Sequence, residues 1–171
     1  MKKIIFLPVL VCFLSSQTVD TVEYELVPNW SMNLYAGYPI IGGATFDAYD
    51  EINPVFGLSV GSPYGIFIQN FFINVIAELA YYDFRGADHF RGIAYQIGLG
   101  PGFFIGDASL SATACTGYYH AGPGFIVGGS LDYPLDEFIE IRLTGRGNLV
   151  RKTEGGATWW IGGGISLGYE F

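Results

Sequence analysis

Four charged side chains have the types and spacing needed to form ion pairs with one another. Glu78 follows a long uncharged stretch, while Glu140, Arg142 and Arg146 are separated by even numbers of residues, which places them on one face of a strand. An arginine guanidinium binds a carboxylate as a planar fork, and a charge held in a narrow interior is costly unless it is paired. The pattern predicts a charge network that plugs the interior of the fold. The alternative is that the same side chains line a wet channel.

Other kinds of chemistry have weaker support in the sequence. His89 and His120 are the only histidines, Asp88 adjoins His89, and no serine stands close to either histidine in the sequence. General-base catalysis needs a histidine that is oriented by a second group and faces a nucleophile, so solvated loop histidines are the favoured interpretation. Because the sequence has no cluster of cysteines and histidines, we expect neither a metal site nor a cofactor.

The charge balance argues against nucleic acid as a partner. Without Lys2 and Lys3, which belong to a predicted export signal, the chain has 6 basic and 16 acidic residues and a net charge of −10. Binding to a phosphate backbone requires basic patches. Cys115 is the only cysteine outside the predicted signal, so no internal disulfide is expected.

The elements that position the charged residues are predicted to be β-strands. Apolar and small or polar residues alternate with period 2 in eight segments, which is typical of strands with two different faces. We predict an all-β fold, an eight-stranded antiparallel up-and-down transmembrane β-barrel. The predicted strands span about 30–38, 55–68, 71–84, 92–105, 109–119, 124–133, 138–147 and 159–171.

The connections and prolines refine this prediction. Short turns near 69–70, 106–108 and 134–137 fall on one side of the barrel, and longer connections at 39–54 and 148–158 fall on the other.

We expect bulges or strand ends near Pro63 and Pro101, because proline cannot donate to a strand ladder. Residues 52–77 are uncharged for long enough to span a membrane as a helix, but their density of proline, glycine and amide residues disfavours that alternative.

The N-terminus is predicted to be an export signal. Lys2 and Lys3 precede an eleven-residue apolar stretch, 4–14, which is too short to cross a bilayer as a helix. We assign 1–16 to a signal peptide with an approximate cleavage site, 17–29 to an N-terminal periplasmic segment and 30–171 to the barrel. Lipidation at Cys12 is disfavoured, because no small residue stands directly before it.

The last predicted strand carries the resemblance to a known family. Its outward residues end in the series Ile165, Leu167, Tyr169 and Phe171, which resembles the assembly signal of bacterial outer-membrane proteins. Over about 30–171 the chain resembles small eight-stranded outer-membrane barrels of the outer-membrane protein A or X type. This resemblance implies residence in the bacterial outer membrane, contact with its lipids and recognition by the barrel-assembly machinery. The alternative is a soluble β-protein that happens to end in phenylalanine.

Aromatic residues support two belts, one at each membrane interface. The predicted outer belt contains Tyr81, Phe84, Tyr95, Tyr118, Tyr119, Trp159 and Trp160, and the predicted inner belt contains Phe71, Phe103, Tyr133, Phe138, Tyr169 and Phe171.

The expected role follows from the size of the barrel. Eight strands leave an interior that side chains fill, so we expect a structural or surface-interaction role, with a possible extracellular ligand at 39–54 and 148–158. A narrow porin-like channel for small solutes or apolar molecules is the first alternative. The second is a lipid A-modifying enzyme, since some barrels of this type use histidine with serine or a carboxylate near the outer rim.

Overall fold

The computed structural model describes residues 29–86, 89–153 and 155–171, and nine antiparallel strands account for most of them. The predicted signal peptide and nearly all of the predicted periplasmic segment therefore lie outside the described residues. In the described part, no helix is long and apolar enough to cross a membrane. The strands are β1 (Ser31–Gly42), β2 (Tyr49–Ile52), β3 (Val55–Ile68), β4 (Phe71–Gly86), β5 (His89–Ile105), β6 (Ala108–Tyr119), β7 (Gly122–Pro134), β8 (Ile139–Arg151) and β9 (Ala157–Glu170).

Eight of the nine strands close into a barrel. Each long strand pairs with the next one along the chain, and β1 closes the ring by pairing with β9. β2 stands outside this ring and pairs only with the upper end of β4, from Phe84 to Gly86. The predicted eight-stranded antiparallel up-and-down barrel is thus confirmed, and β2 is an unpredicted addition within the connection 39–54.

The connections divide the barrel into two rims. The turn rim carries the connections 69–70, 106–107 and 135–138 and both ends of the described barrel, at 29–30 and 171. The loop rim carries the connection from β1 through β2 to β3, the β4–β5 connection, 120–121 and 152–156. The sorting of connections by side agrees with the sequence prediction, but β8 runs on to Arg151, so its connection to β9 is shorter than predicted.

The two prolines have different outcomes. Around Pro63 the register between β3 and β4 shifts, with Gly61 paired to Ile76 and Gly65 paired to Asn74, so the expected bulge is present. At Pro101 the prediction is wrong, because β5 continues through the proline and keeps its register with β4. Pairing of β5 with β6 is interrupted at 100–101 and resumes without a shift. This interruption accommodates Pro101, which has no N–H to donate.

The wall of the barrel is apolar outside and polar or small inside. In β9 the odd positions are exposed on the outer surface and the even positions face the lumen, as the alternation predicts. Glycine is needed where strands approach most closely in the lumen: a Cβ at Gly98 would collide with the carbonyl oxygen of Ala114, and one at Gly117 with that of Tyr95. Exposed aromatics lie toward the loop rim at Tyr38, Phe56, Tyr95, Tyr118, Phe125 and Trp159, and toward the turn rim at Trp30, Phe103, Tyr133, Phe138, Tyr169 and Phe171.

Candidate functional site

An ion pair between Glu78 and Arg146 crosses the middle of the lumen. The Nη1 atom of Arg146 donates to Oε1 of Glu78 at 2.7 Å, and Nη2 donates to Oε2 at 3.1 Å. The side chain of Glu78 is 5% exposed and that of Arg146 is 11% exposed, so water is nearly excluded from the pair. The guanidinium also lies 4.1 Å from the centre of the Tyr35 ring, which is close enough for a cation–π interaction. The pair is therefore held on several sides within the lumen.

The positions of Glu78 and Arg146 follow from the strand count and the strand lengths. Glu78 stands seven residues after Phe71, where β4 begins, and Arg146 stands seven residues after Ile139, where β8 begins. In a ring of eight strands, β4 and β8 are opposite each other. Equal height on opposite walls allows the two side chains to meet at the axis of a barrel this narrow.

A second cluster lies below this pair, toward the turn rim, and is centred on Arg142. Its Nη2 atom donates to Oε1 of Glu140 at 2.9 Å, and its Nε atom lies 2.7 Å from Oδ1 of Asp132. The hydroxyls of Ser109 and Ser111 each donate to Oδ2 of Asp132 at 3.1 Å. Asp132 is 3% exposed and did not figure in the predicted network. Its inward parity in β7, opposite Arg142 in β8, is the sequence signal that would have identified it.

Arg142 does not reach Glu78. It stands only three residues after Ile139, four residues below Arg146 on the same strand, so it pairs at a lower level. The four predicted network residues thus form two separate groups, Glu78 with Arg146 and Glu140 with Arg142.

A polar layer lies directly above the central pair. The hydroxyls of Tyr82 and Tyr119 donate to Oδ1 of Asn148, at 3.4 and 3.0 Å. All three residues are at most 3% exposed. This layer connects the charged interior to the aromatic residues at the loop rim.

The loop rim is closed by an aromatic cap, which consists of Phe46, Tyr49, Tyr82, Phe84, Phe90, Tyr119 and Trp160. Trp160 lies at the centre of the cap and is 2% exposed, and Phe46 stacks on it with ring centroids 5.8 Å apart. Phe46 comes from the connection between β1 and β2, which folds into the mouth of the barrel. The placement of Phe84, Tyr119 and Trp160 in an outer membrane belt is therefore wrong: they lie at the loop rim but face the lumen.

The lumen holds two cavities below the central pair. A vestibule of about 200 Å³ is open at the turn rim and is lined by Asp132, Glu140 and Glu170 among others. A smaller cavity of about 30 Å³ lies deeper, next to Asn33, Asn74 and again Asp132. The deeper cavity has room for ordered water and polar groups to hold it. The turn-rim half of the lumen is thus polar and partly open, whereas the loop-rim half is filled by side chains.

The remaining candidate residues lie at the ends of strands or inside the wall. His89 and His120 are both exposed at the loop rim. Cys115 is a buried thiol in the lumen, 1% exposed. No group of three or more histidine, cysteine or acidic side chains that could hold a metal ion occurs within 29–86, 89–153 and 155–171.

The predicted assembly residues form one row on the outer face of β9. Ile165, Leu167, Tyr169 and Phe171 are each between 46% and 59% exposed. The backbone of Phe171 exchanges two hydrogen bonds of 2.9 Å with Trp30, so this residue also closes the seam between β1 and β9.

Comparisons with known proteins give structural matches only. No protein-family profile matches the chain, and no curated protein matches it. Among solved structures, Neisserial surface protein A is 13% identical with a TM-score of 0.46, and the match covers 83% of this chain and 94% of that one. The N-terminal β-barrel domain of Pseudomonas aeruginosa OprF is 13% identical with a TM-score of 0.43, and the match covers 84% of this chain and 98% of that one.

Proposed function

We propose that the protein is a bacterial outer-membrane barrel with a closed lumen, and that its role is structural or one of surface interaction rather than transport. The observation that carries this proposal is the filled lumen: the Glu78–Arg146 pair crosses its middle, and the aromatic cap closes it at the loop rim. The apolar outer wall supports the membrane placement.

The outer wall suits a lipid environment better than water. Along β5 the outward residues Ile93, Tyr95, Ile97 and Leu99 are each 48–58% exposed, and similar rows cover the other long strands. Monomeric soluble proteins rarely expose continuous apolar surface of this extent. A closed barrel also satisfies its backbone hydrogen bonds internally, which is the condition for crossing a bilayer with strands.

The closed lumen supports a role outside transport. A buried ion pair is held strongly when both partners are hydrogen-bonded, and breaking it leaves an uncompensated charge. A solute would have to separate Glu78 from Arg146 and then displace Trp160 and Phe46 from the cap. Surface interaction would then fall to the loop rim, at 39–54 and 148–158.

A narrow channel is the second candidate, and the vestibule is the observation that favours it. The vestibule and the deeper cavity share Asp132 as a lining residue, so together they extend the polar interior from the turn rim toward the central pair. Conduction would require both the pair and the cap to open.

Reconstitution into lipid vesicles separates these candidates. The purified protein should insert, gain the altered electrophoretic mobility of a heat-modifiable barrel, and leave the vesicles impermeable to small sugars in a swelling assay. Failure to insert would refute the membrane placement. Insertion followed by rapid swelling would refute the closed lumen and favour the channel.

A further inference from the structure

We propose that the outer wall carries a binding site for one anionic lipid, with its acyl chain in a groove across β8, β9, β1 and β3 and its phosphate at Arg91. This inference goes beyond the proposed function and rests on its membrane placement. Two separate features of the outer surface carry it, an apolar groove and an exposed arginine, Arg91, next to the upper end of that groove.

The groove, called the wall groove below, has a volume of about 450 Å³. It forms because Ala36 is small while its outward neighbours are large, so the wall is recessed between them. A recess of this size is within the range of small-molecule sites, and its apolar lining matches a hydrocarbon chain. The outward side chains that line it are Leu34, Ala36, Phe56, Ile141, Ile165 and Leu167.

The wall groove rises toward the loop rim. Ile165, Ala36, Phe56 and Tyr81 are successive cross-strand partners and form one row around the wall. Ala36 stands five residues from the start of β1, whereas Tyr81 stands ten residues from the start of β4. Because the strands are tilted, this row climbs from the lower half of β1 to the upper part of β4. An acyl chain in the groove would therefore have its headgroup end near Tyr81.

Arg91 stands at that end. The Nε atom of Arg91 donates to the Tyr81 hydroxyl at 3.0 Å, and the Arg91 side chain is 65% exposed, so its terminal nitrogens face the surroundings. Arg85 hydrogen-bonds both carboxylate oxygens of Asp83, which lies 4.0 Å from Arg91. Glu51 contacts Arg85. Asp83 and Glu51 balance the charges of Arg85 and Arg91, so the group is neutral as a whole. Arg85 holds Asp83 through two hydrogen bonds, and Arg91 is the arginine whose exposed fork is able to bind a phosphate.

The charge distribution over the barrel favours an anionic lipid in the leaflet at the loop rim. Among the described residues, every basic side chain outside the lumen lies at the loop rim: Arg85, Arg91, Arg151 and Lys152. The loop rim also carries Asp47, Asp50, Glu51 and Asp83, so its described charges balance, whereas the turn rim carries Asp107, Asp136 and Glu137 and no described basic residue outside the lumen. Anionic headgroups attract basic side chains near a membrane surface, so the phosphate end belongs at the loop rim.

Native mass spectrometry of the folded protein in neutral detergent, titrated with phosphatidylglycerol or phosphatidylcholine, tests the site. The wild-type barrel should retain one phosphatidylglycerol in preference to phosphatidylcholine, and excess inorganic phosphate should not displace it. Arg91→Gln should weaken retention by about fivefold, the effect of one basic residue at a membrane surface. Ala36→Trp, which fills the wall groove, should weaken it as well.

Two variants elsewhere on the barrel serve as matched controls. Arg151→Gln removes an exposed loop-rim arginine from β8, and Ala114→Trp enlarges an exposed outward alanine on β6, opposite β1. Both should retain the lipid like the wild type. Equal retention of the two lipids, unchanged retention in Arg91→Gln, equal losses in the controls or displacement by free phosphate would each overturn the site. If the barrel inserts into phosphatidylcholine vesicles and any of these results is obtained, the lipid site alone is refuted. If the barrel fails to insert, the membrane placement on which the site rests is refuted as well.

Discussion

Arg146 donates two hydrogen bonds to Glu78 across the lumen. Each of the two residues stands seven residues above the start of its strand, and the two strands lie on opposite walls of the barrel. This contact divides the interior into a polar lower half and a filled upper half. Arg142, on the same strand as Arg146, belongs instead to the lower group with Asp132 and Glu140.

The first prediction concerns this ion pair. Glu78→Gln should lower the free energy of unfolding by about 3–5 kcal/mol, or less if water enters, because it leaves a buried guanidinium uncompensated. A double-mutant cycle measured by urea unfolding in detergent should show coupling between Glu78 and Arg146. The matched cycle between Glu78 and Arg142 should show additivity, and equal coupling in both cycles would contradict the separation into two groups.

The second prediction concerns the outer face of β4. Val75 is an outward residue of β4 midway between Phe71, which pairs with Phe103 at the turn rim, and Leu79, which pairs with Tyr95 toward the loop rim. Val75→Arg should therefore cost about 2–4 kcal/mol of folding free energy in a bilayer. Thr116→Arg places the same charge on the outer face of β6 just below Tyr118, near an interface, and should cost about 0–1 kcal/mol. Equilibrium folding into lipid vesicles measures both values. Equal costs would mean that the depth assigned to one of these positions is wrong.

The third prediction concerns the row of residues proposed to direct assembly. Phe171→Ala should reduce the amount of folded, heat-modifiable protein in outer-membrane fractions of cells, because it removes the last aromatic of the row. Phe103→Ala, which removes another exposed aromatic at the turn rim, is the control and should have little effect. If both variants accumulate like the wild type, the row is not an assembly signal.

The fourth prediction uses two adjacent tryptophans. Trp160 is 2% exposed in the cap, whereas Trp159 is 41% exposed on the outer wall. Trp160→Ala should open the loop rim and speed the reaction of Cys115 with a small charged thiol reagent, at a stability cost of about 3–5 kcal/mol. Trp159→Ala should leave the reaction slow. Equal rates in the wild type and in Trp160→Ala would show that the cap does not control access to the lumen.

The sequence predicts which residues face outward or inward better than it predicts which side chains meet in the lumen. Period-2 alternation reports the face of each residue, so the outward row of β9 and the inward positions of Glu78 and Arg146 follow from it. Which side chains meet inside depends on the stagger between strands, which alternation does not encode. Alternation does report the inward parity of Asp132, but its pairing with Arg142 follows from the register between β7 and β8, which alternation does not encode.

The aromatic cap could not be predicted from the sequence for a different reason. Phe46 lies in a connection that has no periodic pattern, so nothing in the sequence indicates that the segment folds into the mouth of the barrel. Height along the barrel alone places Trp160 in the same belt as Trp159. The parity of neighbouring residues separates them, since only Trp159 lies on the outward side of β9.

The conductance of single barrels tests the central claim, the closed lumen, most directly. In a planar lipid bilayer the inserted wild-type protein should show no resolved channel steps, because the Glu78–Arg146 pair and the aromatic cap both block the axis. A variant that combines Glu78→Gln with Trp160→Ala should conduct if it remains folded, which heat-modifiable mobility verifies. Stable, high conductance of the wild-type barrel, unchanged in that variant, would contradict the closed lumen and identify the protein as a pore.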